Sequence, residues 1–145
     1  MKRLEDYQEI VGDEVIFRIH NKMTKLYGKH VVHVNSTYQG GGVAEMLSSL
    51  VPLMNDIGLD AGWRILHGNP DFFGITKKFH NALLGDPLHF THIKRDLYVN
   101  NNEDFSQFTH LDHDACIIHD PQPLPLVRFY KKRQPWIWRC HIDLT

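Results

Sequence analysis

Three consecutive glycines, Gly40 to Gly42, lie between a valine-rich run at residues 30–35 and an amphipathic pattern that begins at Val43. The valine-rich run is typical of a strand buried on both faces, and the spacing after the glycines predicts a helix. Strand, glycine turn and helix form the unit with which doubly wound α/β domains begin. Backbone N–H groups at such a helix start can bind a phosphate or a sugar. The alternative is a loop that only needs positive φ angles.

The glycine turn does not match the standard nucleotide-binding motifs. Glu45 stands where the third glycine of G-x-G-x-x-G would lie, and no Gly-Lys-Ser/Thr follows for a P-loop. The sequence also lacks a serine nucleophile elbow, a C-x-x-C pair and H-E-x-x-H. Hydrolase and metalloprotease functions therefore have no support.

His110, His113, Cys116 and His119 follow one another at intervals of three. On a helix this spacing could build a zinc site. However, the residues from Ala115 to Ile118 predict a strand, which would direct Cys116 and His119 to opposite faces. Surface histidines and one buried cysteine are therefore favoured, and a zinc-binding domain is a remote alternative.

The pattern along the chain alternates helices with strands and predicts one α/β domain with a mainly parallel sheet flanked by helices. Prolines are expected to bend the second helix at Pro52 and to break the chain into a loop after His119. The predicted helices cover residues 12–26, 43–57, 70–84, 92–109 and 126–132, and the predicted strands cover residues 30–35, 60–67, 115–118 and 135–142.

Three of the predicted strands end in polar residues. These endings are Asn35-Ser36-Thr37 before the glycines, His119-Asp120, and His141-Ile142-Asp143. Because parallel strands carry their ligands beyond their carboxyl ends, we expect the three endings to meet at one functional edge. Trp136 and Trp138 are expected to pack in the core.

Composition and charge exclude several classes of protein. The chain has 145 residues and a formal net charge of −1, which argues against nucleic acid as the main partner. No apolar run is long enough for a membrane span, and the charged N-terminus lacks a signal-peptide core. Cys116 and Cys140 form no disulfide framework, so we expect free thiols and a cytoplasmic protein.

Four segments together resemble a known family. They are HVNSTYQGGGVAEMLSSLVPLMNDIGLDAGWRIL, FFGITKKFHNALLG, IIHDPQP and WIWRCHIDLT. In this order they resemble the N-terminal domain of glycosyltransferring trehalose synthases, which are retaining enzymes related to trehalose phosphorylases. The resemblance implies a GT-B fold of two Rossmann-like domains. Residues 1–145 would form the N-terminal, acceptor-side domain, and the C-terminal donor-binding domain would be absent.

The resemblance also implies a reaction. The whole enzyme would transfer glucose from a nucleoside diphosphate glucose to glucose, forming trehalose reversibly. The nucleotide sugar would be a co-substrate, and no metal or other cofactor is implied. Without its second domain, the chain would be inactive.

The resemblance assigns roles to nine residues. We expect two catalytic residues bordering the reacting sugars, His119 and Asp120. We expect seven residues that bind substrate, of which Gln39 and Glu45 are the weaker candidates: Gln39, Gly40, Gly41, Gly42, Glu45, His141 and Asp143. In the alternative interpretation, Asp120 only shapes a turn before Pro121 and His141 only ends a strand.

Two further functions remain open at this point. A trehalose phosphorylase would use phosphate where the synthase uses a nucleotide. A non-catalytic sugar-binding or interaction module would reuse the fold, and a homodimer that buries an apolar face would favour this function.

Overall fold

A computed structural model describes residues 3–131 and 133–142. The chain begins with a 3-10 helix, Leu4–Tyr7, and another, Leu124–Arg128, precedes the last strand. The α-helices are α1 (Gln8–Val11), α2 (Asp13–Met23), α3 (Gly42–Asp56), α4 (Pro70–Leu83) and α5 (His92–Phe108), and the strands are β1 (His30–Asn35), β2 (Asp60–Ile65), β3 (Ala115–His119) and β4 (Trp136–Arg139).

The four strands form one parallel sheet in the order β2-β1-β3-β4. Helices flank this sheet, so the chain is an α/β Rossmann-like domain, as the alternating pattern predicted. The first two residues of β1, His30 and Val31, lie opposite Asp60 and Ala61 of β2. All four carboxyl ends therefore lie at the same edge of the sheet.

The predicted ends of some elements were wrong by several residues. Strand β4 ends at Arg139 and not at residue 142, because its partner β3 ends at His119 and leaves nothing to pair with. The predicted helix at residues 126–132 is a 3-10 helix, Leu124–Arg128, since prolines occur at its start. The two short helices at residues 4–11 were not predicted.

Strand β1 is buried on both faces, as predicted. Val32 and Val34 pack with Cys116, Ile118, Leu111 and Leu126 on one face of the sheet. Val31 packs with Met23 and Leu59 on the other. Cys116 is a free thiol within this core, and Cys140 is a free thiol that is half-buried.

Helix α5 includes three consecutive asparagines, at residues 100–102. It stays helical there because two of their side chains form hydrogen bonds with other segments of the chain. The Asn101 side chain donates to the His67 carbonyl at 2.9 Å. The Asn102 amide is fully buried and donates to the carbonyls of Tyr98 and Gln122 at 3.0 and 3.1 Å. Tertiary hydrogen bonds thus offset the weak helix propensity of asparagine.

Among residues 3–131 and 133–142, no helix combines the length and the apolar character that crossing a membrane requires.

Candidate active site

Polar segments from three strands meet at the carboxyl edge of the sheet. We use this name, the carboxyl edge, for residues 35–42, 119–120 and 139–142. The segments are in contact: the backbone N–H of His141 donates to Oδ1 of Asp120 at 2.7 Å, and the His141 ring lies over Gly42. The parallel topology therefore brings together the strand endings that the sequence marked.

Asp120 has a backbone conformation that few residues other than glycine adopt. Its φ angle is 64°, and the next residue is a proline. Three hydrogen bonds connect it to β4 and the residues after it: its N–H donates to the Arg139 carbonyl at 2.9 Å, its carbonyl accepts from the Trp138 indole at 3.0 Å, and its carboxylate accepts from His141. A constrained backbone held by its surroundings is common at functional sites.

Backbone conformation favours glycine at two of the three positions, and a neighbouring ring favours it at the third. Gly40 and Gly41 have φ angles of 75° and 87°, which favour glycine. At Gly42 a Cβ atom would lie only 2.9 Å from Nε2 of His141. Backbone conformation and one ring contact therefore account for the glycines, and the groups that remain available to a ligand are the N–H groups at the start of α3.

The conformation of the loop before the glycines depends on Asn35, which the sequence marked, and on Tyr38 and Trp63, which it did not. The Asn35 side chain is buried, and its amide donates to the Thr37 carbonyl at 2.7 Å while its oxygen accepts from the Trp63 indole at 2.7 Å. Tyr38 stacks on Trp63 with 5.2 Å between ring centroids. Strand β2 thus fixes the position of this loop.

Two buried histidines meet beneath the carboxyl edge. Nδ1 of His33 lies 3.0 Å from Nε2 of His119, and the rings stack at 5.3 Å. The pKa of His119 is lowered to about 4, mainly by burial and in addition by the neighbouring His33, Arg139 and His141. Burial also lowers the pKa of His33. Both rings are therefore neutral at pH 7, and sequence reasoning missed His33 because it lies inside a valine run.

Arg139 and His141 provide the cation and the exposed ring of this site. Nη2 of Arg139 lies 3.5 Å from Nδ1 of His141. Nη1 is buried and has no hydrogen-bond partner within the described ranges. Arg139 forms no ion pair with the side chains that the structure describes.

Helix α5 holds the loop that follows Asp120. The Tyr98 hydroxyl donates to the Pro121 carbonyl, and burial raises the pKa of this hydroxyl. Asn102 donates to the next carbonyl, that of Gln122. The motif HDPQP is thus connected to the helix through its backbone, which positions Asp120.

The remaining predicted residues have fewer contacts. Gln39 and Glu45 are exposed, and Glu45 lies in the first turn of α3, where a carboxylate suits the helix dipole. Asp143 lies outside the described residues. Cys116 and His119 occupy opposite faces of the sheet, as predicted, and no group of three or more metal-ligating side chains occurs in the described ranges.

The expectation that both tryptophans pack in the core was wrong for one of them. Trp136 is half-buried and packs against the core beside Tyr130. Trp138 is 44% exposed, because it stands at the end of the edge strand β4. It lines an apolar cavity of about 310 Å³ together with Phe79, Ala82, Leu83, Leu88, Pro121 and Leu124.

Comparison with known proteins identifies the family. The model of the family described as "Trehalose synthase, N-terminal domain" matches residues 33–145. The chain belongs to this family. The match includes the whole carboxyl edge, so the resemblance seen in the motifs is confirmed.

The family's curated members show the same relationship over nearly the whole chain. Trehalose synthases of Thermococcus litoralis and Pyrococcus horikoshii are 54% and 50% identical to it over 99% of its length. The trehalose phosphorylase of Pleurotus pulmonarius is 27% identical over 97%. The chain spans only 35% of the two synthases and 21% of the phosphorylase.

Proposed function

We propose that this chain is the acceptor-side domain of a retaining glycosyltransferase. The whole enzyme transfers glucose from a nucleoside diphosphate glucose to glucose and forms trehalose reversibly. The observation that carries the proposal is the convergence of the glycine turn, Asp120 and His141 at the carboxyl edge of a trehalose synthase domain. Such an edge offers N–H donors, a carboxylate and an imidazole, which are groups that bind sugar hydroxyls and phosphates.

Each segment of the carboxyl edge has a role in this proposal. The N–H groups of Gly40 to Gly42 approach the donor diphosphate or the transferred sugar. Asp120 borders the reacting sugars, with His119 buried directly behind it, and His141 and Asp143 bind acceptor hydroxyls. Gln39 and Glu45 contribute further hydrogen bonds from the surrounding surface.

In the proposed mechanism, the domain positions the substrates and does not provide a nucleophile. In front-face attack, the leaving phosphate takes the proton of the acceptor hydroxyl as the new glycosidic bond forms. The protein lowers the barrier by aligning the two sugars and by stabilising the charge that develops on the phosphate. A rigid Asp120 turn suits this task, because small displacements of aligned groups reduce rates strongly.

A second, C-terminal Rossmann-like domain completes the enzyme in this proposal and binds the nucleotide. The matched trehalose synthases are about three times as long as the part that this chain covers, which supports a further domain. We therefore expect the isolated chain to show negligible turnover, although its half of the sugar site is preformed.

Trehalose phosphorylase is the second candidate function, because phosphorylases also match the chain. The identity of 27% to a phosphorylase against 50–54% to synthases favours the synthase. Inorganic phosphate and a nucleoside diphosphate glucose are therefore the ligands that separate the two functions.

The test is an amide NMR titration of the chain with glucose, trehalose, UDP-glucose, ADP-glucose and inorganic phosphate in separate series. We expect shifts at Gly40 to Gly42, His119 and His141, with the nucleotide sugars more effective than phosphate. Sucrose serves as the control sugar, since it has a similar size and a different linkage. A folded chain whose carboxyl edge responds to none of the five ligands would contradict the proposal for this domain.

A further inference from the structure

The contact between His33 and His119 permits two proton arrangements. Nδ1 of His33 and Nε2 of His119 are 3.0 Å apart, and the two rings are only 2% and 1% exposed. A hydrogen bond at this distance needs a proton on one nitrogen and a lone pair on the other. Either His119 donates to His33 or His33 donates to His119.

Met54 of α3 distinguishes the two arrangements. Its sulfur lies 3.4 Å from Nε2 of His33, and a thioether sulfur accepts hydrogen bonds but cannot donate them. The proton of a neutral His33 therefore belongs on Nε2, which leaves Nδ1 bare. In the opposite arrangement, the lone pairs of nitrogen and sulfur would face each other. His119 must then donate from Nε2.

The surroundings of the second ring nitrogen of His119 agree with this assignment. Nδ1 of His119 has no hydrogen-bond partner within residues 3–131 and 133–142. Arg139 is the register partner of His119 on β4 and acts on it as a nearby cation. A guanidinium only donates hydrogen bonds, so a bare Nδ1 suits this neighbour and a protonated Nδ1 opposes it.

We infer that His33 is a positioning residue that holds His119 as the neutral tautomer with its proton on Nε2. The consequence reaches the surface through Arg139, whose guanidinium lies beside His141. Because Arg139 acts on His119 as a cation, the position of the proton on His119 changes the electrostatic environment of Arg139 and of His141 beside it. His33 thereby acts from the core on a ring at the carboxyl edge, and only its effect on sugar binding rests on the proposed function.

The first measurement is the tautomer of His119 by ¹⁵N NMR of the chain labelled at histidine, at pH 7 and without ligand. We expect a protonated Nε2 and a bare Nδ1. A protonated Nδ1 in the unsubstituted chain would overturn the inference without any variant. Because no sugar is present, this result is independent of the proposed function.

The second measurement compares three variants. His33→Leu removes the acceptor, and we expect His119 to become a mixture of tautomers. His33→Asn places an amide oxygen near the position of Nδ1, so it should restore the proton on Nε2. His30→Leu is the matched control on the same strand, since His30 is exposed, and it should leave His119 unchanged. If His33→Leu does not fold, Met54→Leu removes the sulfur that orients His33 and should also give a mixture.

Sugar binding is the last readout. We expect His33→Leu to weaken the response of His141 to glucose or trehalose by about fivefold, which is the loss of one ordinary hydrogen bond. His33→Asn should recover most of it. An unchanged tautomer in His33→Leu would overturn the positioning role. If the tautomer of His119 changes in His33→Leu but the unsubstituted chain does not bind sugar, the positioning role stands and only the proposed function is contradicted.

Discussion

The two edges of the sheet contain similar residues in different arrangements. At the amino edge, which comprises residues 29–30, 110–114 and 133–135, three histidines and two aspartates border a cavity of about 750 Å³. The histidines and charged side chains of the carboxyl edge are His119, Asp120, Arg139 and His141. Each edge even has an aspartate that accepts a backbone N–H: Asp114 accepts from His30 at 2.9 Å, and Asp120 accepts from His141 at 2.7 Å.

The edges differ in how firmly these groups are held. Asp114 pairs with Lys29 at 3.0 Å, and both side chains are about half exposed, so water screens the pair and it contributes little to stability. Asp120 has a left-handed backbone fixed by three hydrogen bonds, beside a fully buried histidine. Neither cavity size nor the number of histidines therefore marks the proposed site. Strand direction and constrained backbone mark it.

Acid is expected to produce the largest loss of stability, through the carboxyl edge. The pKa of His119 falls from 6.5 to about 4 on folding because the ring is buried. Between these two pKa values the unfolded chain binds a proton at His119 and the folded chain does not. The contribution of His119 to folding stability is therefore present above pH 6.5 and is lost as the pH falls toward 4. At pH 5 we expect a loss of about 2 kcal/mol from His119, measured by urea denaturation at pH 7 and pH 5.

Two asparagine variants sharpen this prediction. His119→Asn cannot take up a proton and should lose less stability between pH 7 and pH 5 than the unsubstituted chain. His113→Asn is the comparison at the amino edge, where burial and Arg64 lower the pKa of a half-buried histidine. His113→Asn should reduce the loss of stability between pH 7 and pH 5 by less than His119→Asn does. If both variants reduced this loss of stability equally, the prediction that the two edges differ would be contradicted.

The two aspartates give the next largest effect. Asp120→Ala leaves the His141 N–H without its acceptor. Alanine also tolerates a positive φ angle less well than aspartate, because it has no polar side chain that can hydrogen-bond locally. We therefore expect the free energy of unfolding to fall by about 1–2 kcal/mol and the sugar response to be lost. Asp114→Ala at the exposed amino edge should lose less folding stability than Asp120→Ala and should keep the sugar response. Chemical denaturation and NMR titration measure both. Asp120→Asn retains an acceptor and should recover stability, and an equal loss in the two alanine variants would contradict the prediction.

Two tyrosines separate stability from ligand binding. The Tyr98 hydroxyl donates to the Pro121 carbonyl beside Asp120, whereas the Tyr130 hydroxyl donates to the Thr109 carbonyl at 2.6 Å, close to the amino edge. We expect each Tyr→Phe variant to lose about 1 kcal/mol, because each leaves a carbonyl without its partner. Only Tyr98→Phe should alter the sugar response of His119 and His141. An altered response in Tyr130→Phe would show that the two edges are coupled.

The smallest effects are expected at two glycines. In Gly42→Ala the new methyl group would displace the exposed ring of His141, which costs little stability but should change the His141 side-chain resonances. In Gly62→Ala the methyl group meets Arg64 at 3.4 Å, an ordinary contact, and the strand loses the backbone freedom of glycine. Gly62→Ala should leave the carboxyl edge unchanged. Thermal unfolding and histidine NMR test both variants.

Local patterns predicted the architecture well because they depend on neighbouring residues. The valine run, the helix spacing after Gly42 and the proline-rich loop gave the alternation of strands and helices. The direction of parallel strands then placed Asp120 and His141 at one edge. The ends of elements were less accurate, since β4 stops where its partner stops. Helix α5 was predicted closely, although the asparagines inside it need hydrogen bonds to other segments that the sequence does not show.

The sequence by itself determined an α/β domain with a parallel sheet and the edge at which its polar strand endings meet, because hydrophobic period and strand direction follow from local chemistry. The tertiary structure decided the left-handed conformation of Asp120, the exposure of Trp138 and the contact of His33 with His119. That contact joins residues 86 positions apart. No local pattern specifies such a pair, since it exists only when β1 and β3 align side by side and enclose both rings away from water.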